Sequence, residues 1–579
     1  MPILAAPNEP SQDTYAAADL QKLGYKQEMT RARISVVGSS TCCSVSHSSP
    51  ISTAQASYDG TVTLAIMAVP YGLAAPIATS LIGGGPATII WGWVLVSALT
   101  LPLAFSLGEI CAKYPTSAGA YYWCFRLAPP NHRLLVSWIN GWLTMVGVWT
   151  ISLSVTFGTA QLIVAGAGIY VPNWEVKPWQ TYLIFLAVTG VAVLFCVFFN
   201  SILPKIDVIS AYWTLIGVIV ILVATSVKAE AGRHPAAFAL GHFDPSPSGM
   251  DSGLGFFHWT PSGLFKVKSP VDCVIECKTL EAYTFSAIGM IASMAEEVHD
   301  PSRDLPRAIT WSIPIGFLTG VVFLVPLLFT LPDISILLSG KSPSLAVDFR
   351  LSPVVASGQP IGVMFELIMG SKGGGFGLVC CGSSYLALAY SAQYPSRVPP
   401  LARRGRLRRD GAIPFPLIFA RVNSRLGGGG GVPLNAILLS TTIQLLLGLI
   451  YLGSSAAFNA FVGVAVMCLG ASYAMPVAIS LYSGRKEVQD SPFGLGKKMG
   501  TVLNAIAVLW AAFEIVLFSM PAVVPVTRVT MNYASVVFVG FGFISAVWYI
   551  FGGRHHYKGP PLPAEEAQAD SPSHSTKMD

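Results

Sequence analysis

Residues Tyr283–Ile309 read YTFSAIGMIASMAEEVHDPSRDLPRAI, and this stretch decides the fold class. From Tyr283 to Ala295 the residues are apolar or small all round, where a soluble helix would carry a single apolar stripe. That is how a membrane helix looks. The segment ends in the acidic pair Glu296–Glu297, passes a polar turn with Arg303, Pro306 and Arg307, and gives way to another apolar run. Ser286, Gly289 and Ser293 weaken the helix or let backbones approach closely. A weak helix between long apolar runs is where a secondary transporter builds its substrate site.

Composition agrees. The chain has 579 residues, 53% hydrophobic and only 11% charged, with a mean hydropathy of +0.59. A soluble protein would carry about a quarter charged residues. The net charge of +6 is too small and too dispersed to argue for nucleic acid. Of the ten cysteines, Cys111, Cys196 and Cys468 lie on apolar runs and behave as small hydrophobes. Cys273 and Cys277 lack a second ligand pair, and the doublets Cys42–Cys43 and Cys380–Cys381 have no metal logic. The expectation is therefore no metal, no cofactor and no disulfide framework. The polar first sixty residues lack an early apolar core, so no cleavable signal peptide is expected.

Twelve apolar runs approach the roughly 20 residues that span a bilayer core. They are Val62–Ile82, Ala87–Cys111, Leu134–Ala165, Thr181–Phe199, Val208–Val227, Tyr283–Ala295, Ile309–Leu331, Phe376–Tyr394, Pro433–Leu452, Phe458–Leu481, Val502–Met520 and Ala534–Phe551. The first is interrupted, the sixth short and the eighth rich in small polar residues. Loop charges test the count. Alternate loops are basic (Lys113, Arg126 and Arg133; Lys205; Arg303 and Arg307; Arg403–Arg409; Arg485, Lys486, Lys497 and Lys498; Arg554 and Lys558), and the opposite short loops are nearly bare. Both termini are expected in the cytoplasm. The domain reading is a largely disordered tail at 1–61, a transmembrane domain at 62–552 and a cytoplasmic tail at 553–579.

The first run contains AVPYGLAAPIATSLIGGGP, in which Pro70 and Pro76 bracket Tyr71–Gly72. Proline removes a backbone donor and glycine weakens the helix further. Two readings stand: a kink, or an unwound segment of the kind a membrane tolerates only where it is buried or lines a cavity. A broken first helix and a weak sixth are five elements apart, which fits a five-plus-five inverted repeat whose breaks meet at the midplane. There, half-helix ends present N–H groups to a carboxylate and carbonyls to an amine. Glu296 and Glu297 read either as a boundary pair tied to Arg303 or Arg307, or as a proton relay. Glu109 lies near a cytoplasmic end within reach of Lys113, whereas Glu514, mid-run in LWAAFEIVLF, is the better candidate for a buried functional acid. Trp138, Trp142, Trp149, Trp311, Trp510 and Trp548, with Tyr121, Tyr122 and Trp123, are expected as packing or interfacial anchors. The sequence has no phosphate-binding GxxxxGK[ST], no HExxH or GxSxG, and no channel filter.

The chain resembles the fungal amino acid/choline permeases of the amino acid–polyamine–organocation superfamily. The resemblance rests on LGYKQE (Leu23–Glu28), IGGGPATIIWGW (Ile82–Trp93), KYPTSAGAYYWCFRLAPP (Lys113–Pro130), SWINGWLTMVG (Ser137–Gly147), MAEEVHDPSRDLPRAI (Met294–Ile309), RDGAIPF (Arg409–Phe415), VPLNA (Val432–Ala436) and LIYLGSSAAFNAFVG (Leu449–Gly463). It implies an all-α membrane protein of twelve transmembrane helices, a five-plus-five inverted repeat with broken helices 1 and 6 plus two extra helices. It further implies gradient-coupled uptake, with protons as the coupling ion, of a small amine-bearing solute: an amino acid, gamma-aminobutyrate, choline or a polyamine. The implied substrate site is Tyr71, Gly72, Leu73 and Ala74 with Phe285, Ser286, Ala287, Ile288 and Gly289. Glu296, Glu297, Arg303 and Glu514 are the gating or coupling residues. The plasma membrane is the expected location, with a vacuolar or other internal membrane the alternative; a sensor that binds without transporting is the alternative function.

Three stretches depart from the family pattern: 31–61, 266–281 and 378–407, the last replacing an apolar eighth helix with VCCGSSYLALAYSAQYPSRVPPLARRGRL. The family pattern resumes directly after each. Retained introns or a shifted reading frame explain this more economically than three polar insertions at functional helices, and sequencing the transcript decides between them.

Overall fold

The computed structural model describes residues 69–74, 77–171, 176–199, 203–230, 232–244, 282–295, 298, 300–334, 337, 360–382, 434–453, 457–520, 526, 531–557 and 559–560. Among these, all regular structure is helical. The first half of the chain contains α1 (Val69–Ala74), α2 (Ile77–Gly84), α3 (Pro86–Lys113), α4 (Ala120–Leu127), α5 (Arg133–Tyr170), α6 (Pro178–Phe198), α7 (Leu203–Lys228) and α8 (Ala236–Gly241). Then come α9 (Ala282–Phe285) with the 3-10 turns Ile288–Met294, α10 (Pro301–Phe329), α11 (Ile361–Met369) and α12 (Lys372–Gly382). The last are α13 (Leu434–Gly448), α14 (Ala457–Tyr482), α15 (Lys497–Ser519), α16 (Ala534–Trp548) and α17 (Arg554–His556).

Nine of the described helices are long and apolar enough to cross a membrane. They coincide with nine of the twelve expected spans. The other three are the runs that read as interrupted, short or weakly apolar: the first is described as α1 and α2, with 75–76 outside the described residues, the sixth consists of α9 and 3-10 turns, and the eighth begins early, at Lys372. The stretches 31–61 and 266–281, and 383–407 of the third departure, lie outside the described residues, as does the Arg403–Arg409 cluster.

Burial sorts the spans. The most apolar window of α5 is 94% buried, whereas that of α16 is 11% buried, so α5 is central and α16 peripheral. A bilayer offers apolar groups no drive to associate, so the packing relies on small residues and interhelical hydrogen bonds. Gly320 of α10 lies under Trp93 of α3, whose Nε1 donates to Phe317 O at 3.1 Å. Gly147 of α5 lies against Leu469 of α14, where Asn140 Nδ2 donates to Ser472 O at 2.7 Å and Thr144 Oγ1 meets Ser472 Oγ at 2.6 Å.

Contacts between helix ends gather some of the connecting segments at each end of the bundle. On the basic face, α4 buries Tyr121, Tyr122 and Trp123 completely, which makes them packing residues. Tyr557, beyond α17, donates to Tyr121 Oη at 2.9 Å and meets Ser137 Oγ at 2.7 Å, so the segment that follows α16 packs on α4 and the start of α5. At the opposite end, Ala87 N donates to His242 O at 3.2 Å and His234 N to Phe329 O at 2.9 Å. The segment bearing α8 thus covers the ends of α3 and α10. The reach of Glu109 to Lys113 does not occur: Glu109 pairs with Arg485 instead. Proximity in sequence pointed to the wrong partner, because the chain returns to this face 376 residues later.

Candidate site at two helix breaks

The first expected break is at Tyr71–Gly72, but both residues sit inside the helical turn Val69–Ala74; residues 75–76 lie outside the described residues, and α2 follows from Ile77. Gly72 has a different use from unwinding. A Cβ there would lie 2.5 Å from Thr284 Oγ1, so the missing side chain lets α1 meet α9 backbone to side chain. The second break falls within the predicted stretch: α9 ends at Phe285, Ser286 and Ala287 form a turn, and the chain continues as 3-10 turns from Ile288. Ser286 secures the turn by donating from both N and Oγ to Tyr283 O, at 3.2 and 2.6 Å.

The structure brings α1 and α9 together and anchors both to α5. Tyr71 Oη donates to Val155 O at 2.8 Å, and Tyr283 Oη meets Ser154 Oγ at 2.8 Å. Ser154 spends its proton on Ile151 O at 2.8 Å, so Tyr283 is the donor in that pair. Adjacent α5 residues therefore hold the two broken helices. Phe285 is a wall residue: its ring stacks on Trp93 with centroids 4.7 Å apart and an interplanar angle of 13°. Gly316 of α10 leaves the space behind it, since a Cβ there would sit 2.8 Å from Phe285 Cε1. Leu73, Ser286, Ala287 and Ile288 are buried and Ala74 is half-buried.

Gly289 meets a residue that the sequence did not single out. A Cβ on Gly289 would lie 2.3 Å from Tyr473 Cε1, so the Tyr473 ring of α14 packs on the bare backbone of the second break. Nothing local in AVMCLGASYAM distinguishes Tyr473 from an ordinary packing aromatic. One turn earlier on α14, Gly470 faces Glu514: a Cβ there would lie 3.4 Å from Glu514 Oε2. Glu514 is thus buried in the α14–α15 contact, outside the meeting point of the breaks but linked to it along α14. Arg303, at the start of α10, is exposed. Glu296 and Glu297 lie outside the described residues.

Among the described residues no group of three or more His, Cys, Asp or Glu is placed to hold a metal ion. A cavity of about 360 Å³ between α5 and α16, lined by Trp138, Trp142, Phe538 and Tyr549 among others, shares no residue with either break.

The sequence pattern of the amino acid permease family matches residues 57–542. Over 547 residues the chain is 30% identical to the amino-acid permease BAT1 of Arabidopsis thaliana, covering 93% of this chain and 95% of that one. It is 28% identical over 518 residues to the polyamine transporter TPO5 of Saccharomyces cerevisiae, covering 88% and 76%. To the choline transporter of the same yeast it is 27% identical over 512 residues, covering 88% and 82%. A family match over most of the chain, joined to nine membrane-length helices among the described residues, makes this protein a multi-pass integral membrane transporter belonging to the amino acid permease family.

Proposed function

We propose that the protein is a secondary permease that moves a small amine-bearing solute by alternating access around the two breaks. The observation that carries this reading is the contact of Gly72 with Thr284, with both breaks tied to neighbouring residues of α5. Broken helices leave backbone N–H and C=O groups without intrahelical partners, and a zwitterion or ammonium supplies the missing ones. Tyr71, Gly72, Leu73 and Ala74 form one wall, and Phe285, Ser286, Ala287, Ile288 and Gly289 the other. Relatives named for amino acids, polyamines and choline support an amine as the common feature of the substrate.

Twelve crossings in a five-plus-five inverted repeat, with both termini in the cytoplasm, best accommodate the alternation of basic loops. Protons are the coupling ion in this reading, with Glu514 as the acid, because burial in the bilayer makes an ionised carboxylate costly and its protonation consequential. Glu296, Glu297 and Arg303 form a boundary pairing at the cytoplasmic end of the sixth helix. Uptake of radiolabelled amino acids, choline and polyamines, in a permease-deficient fungal strain and in proteoliposomes, tests the reading. Accumulation of an amine supports it, and binding without accumulation of any of them points to a sensor.

A further inference from the structure

Glu109 and Arg485 form an ion pair with side chains only 2% and 4% exposed. Arg485 Nη2 donates to both carboxylate oxygens, at 2.6 Å to Oε1 and 2.5 Å to Oε2. Leu495 N adds a bond to Oε1 at 3.0 Å, and Ser491 Oγ donates to Glu109 O at 2.8 Å. The other arm of the guanidinium, Nη1, donates to Gly496 O at 2.6 Å and Lys497 O at 3.2 Å. The site is shaped for this pair. Arg485 holds φ at 61°, an uncommon conformation for a residue with a side chain. Gly500 leaves the room the guanidinium occupies, since a Cβ there would overlap Nη1.

The pair ties the end of α3 to the segment between α14 and α15, beside the place where α15 packs on both α3 and α14 and Ser106 Oγ donates to Asn504 Oδ1 at 2.8 Å. Glu109 lies near the basic-face end of α3, which packs on α10 and is joined to the first break through α2 and the turn at Gly85. Arg485 follows α14, which packs on α5 and touches the second break through Tyr473. Phe105 of α3 and Phe493 stack in the seam between α3 and the α14–α15 segment, with centroids 6.5 Å apart and an interplanar angle of 10°. We propose that this seam, held by Glu109 and Arg485, is a reversible latch that closes the cytoplasmic face and parts during each transport cycle; the proposal rests on the alternating-access reading above.

The energetics suit a contact that opens. A buried pair roughly offsets its own desolvation, so its net hold is small while it stays intact. At a face that opens to the cytoplasm, both charges regain water as they separate, and neither is stranded. Paired and hydrated states are then close in free energy, as a two-state element requires.

A cross-link that leaves the ion pair intact tests the latch. Phe105→Cys and Phe493→Cys are combined in the full-length protein, reconstituted in proteoliposomes, and bridged with a short bis-methanethiosulfonate reagent. The single variants report any effect of the native cysteines. The expected result is a fall in uptake of about tenfold or more on bridging, restored by reductant, because a latch held shut removes the open state from the population. Bridged protein, verified by mass spectrometry, that transports at its unbridged rate would show the seam to be static and overturn the latch. The rate before bridging tests the underlying reading separately. If the unbridged double variant and the unsubstituted protein both accumulate no amine, the permease reading falls and the latch with it.

Discussion

Replacing Gly289 by alanine tests how tightly the second break is built. A Cβ at this position would lie 2.3, 2.5 and 2.7 Å from Cε1, Cζ and Cδ1 of Tyr473, where ordinary contacts begin at 3.4 Å. The ring must therefore retreat by about 1 Å, yet it is 4% exposed and wedged against α14's neighbours. One excess methyl in such packing costs about 1–3 kcal/mol. If that strain falls on the break, uptake per inserted molecule drops by about 5- to 150-fold. The assay is radiolabelled uptake normalised to surface protein, beside thermal unfolding in detergent. Gly190→Ala on α6 serves as the control, because nothing lies within 4 Å of its Cβ position. It should keep full uptake and gain about 0.4–1 kcal/mol in stability. Gly289→Ala combined with Tyr473→Leu should recover much of the loss by returning space. Normal kinetics for Gly289→Ala would refute both the packing and the placement of the site.

Three more outcomes follow from the same geometry. Gly72→Leu should abolish uptake with membrane insertion intact, because a branched side chain would drive α1 away from Thr284; surface labelling beside uptake checks both halves. Glu514→Gln should remove the response of uptake to a pH gradient while substrate-for-substrate exchange persists, since a neutral amide cannot cycle a proton; equal loss of both modes would count against a coupling role. Glu296→Gln should slow net uptake more than it weakens substrate binding if the acidic pair works with Arg303 at the cytoplasmic boundary. Selective loss of gradient-driven uptake would favour a relay there instead.

Much of the fold was legible because a bilayer imposes a local rule: about 20 apolar residues per crossing and basic loops on one side. The same rule marks its exceptions. The small residues Ser286 and Gly289 flagged the sixth helix, which gives way to a turn and 3-10 segment after Phe285. What the sequence could not supply was the identity of neighbours. Gly72 read as a helix breaker, but it sits within a helical turn and provides clearance for Thr284, and glycine is selected for either purpose. Tyr473 and Arg485 looked like a core aromatic and a loop cation. Their importance arises only when α14 is laid against the second break and the end of α3. The buried turn α4 escaped notice because its aromatics resemble interfacial anchors and it is too short to cross.

A structure of the protein with its transported amine bound tests the central claim most directly. Ligand density is expected between Gly72–Ala74 and Phe285–Ala287, with the amine or carboxylate on backbone groups that lack intrahelical partners. Density elsewhere, with the breaks empty, would contradict it.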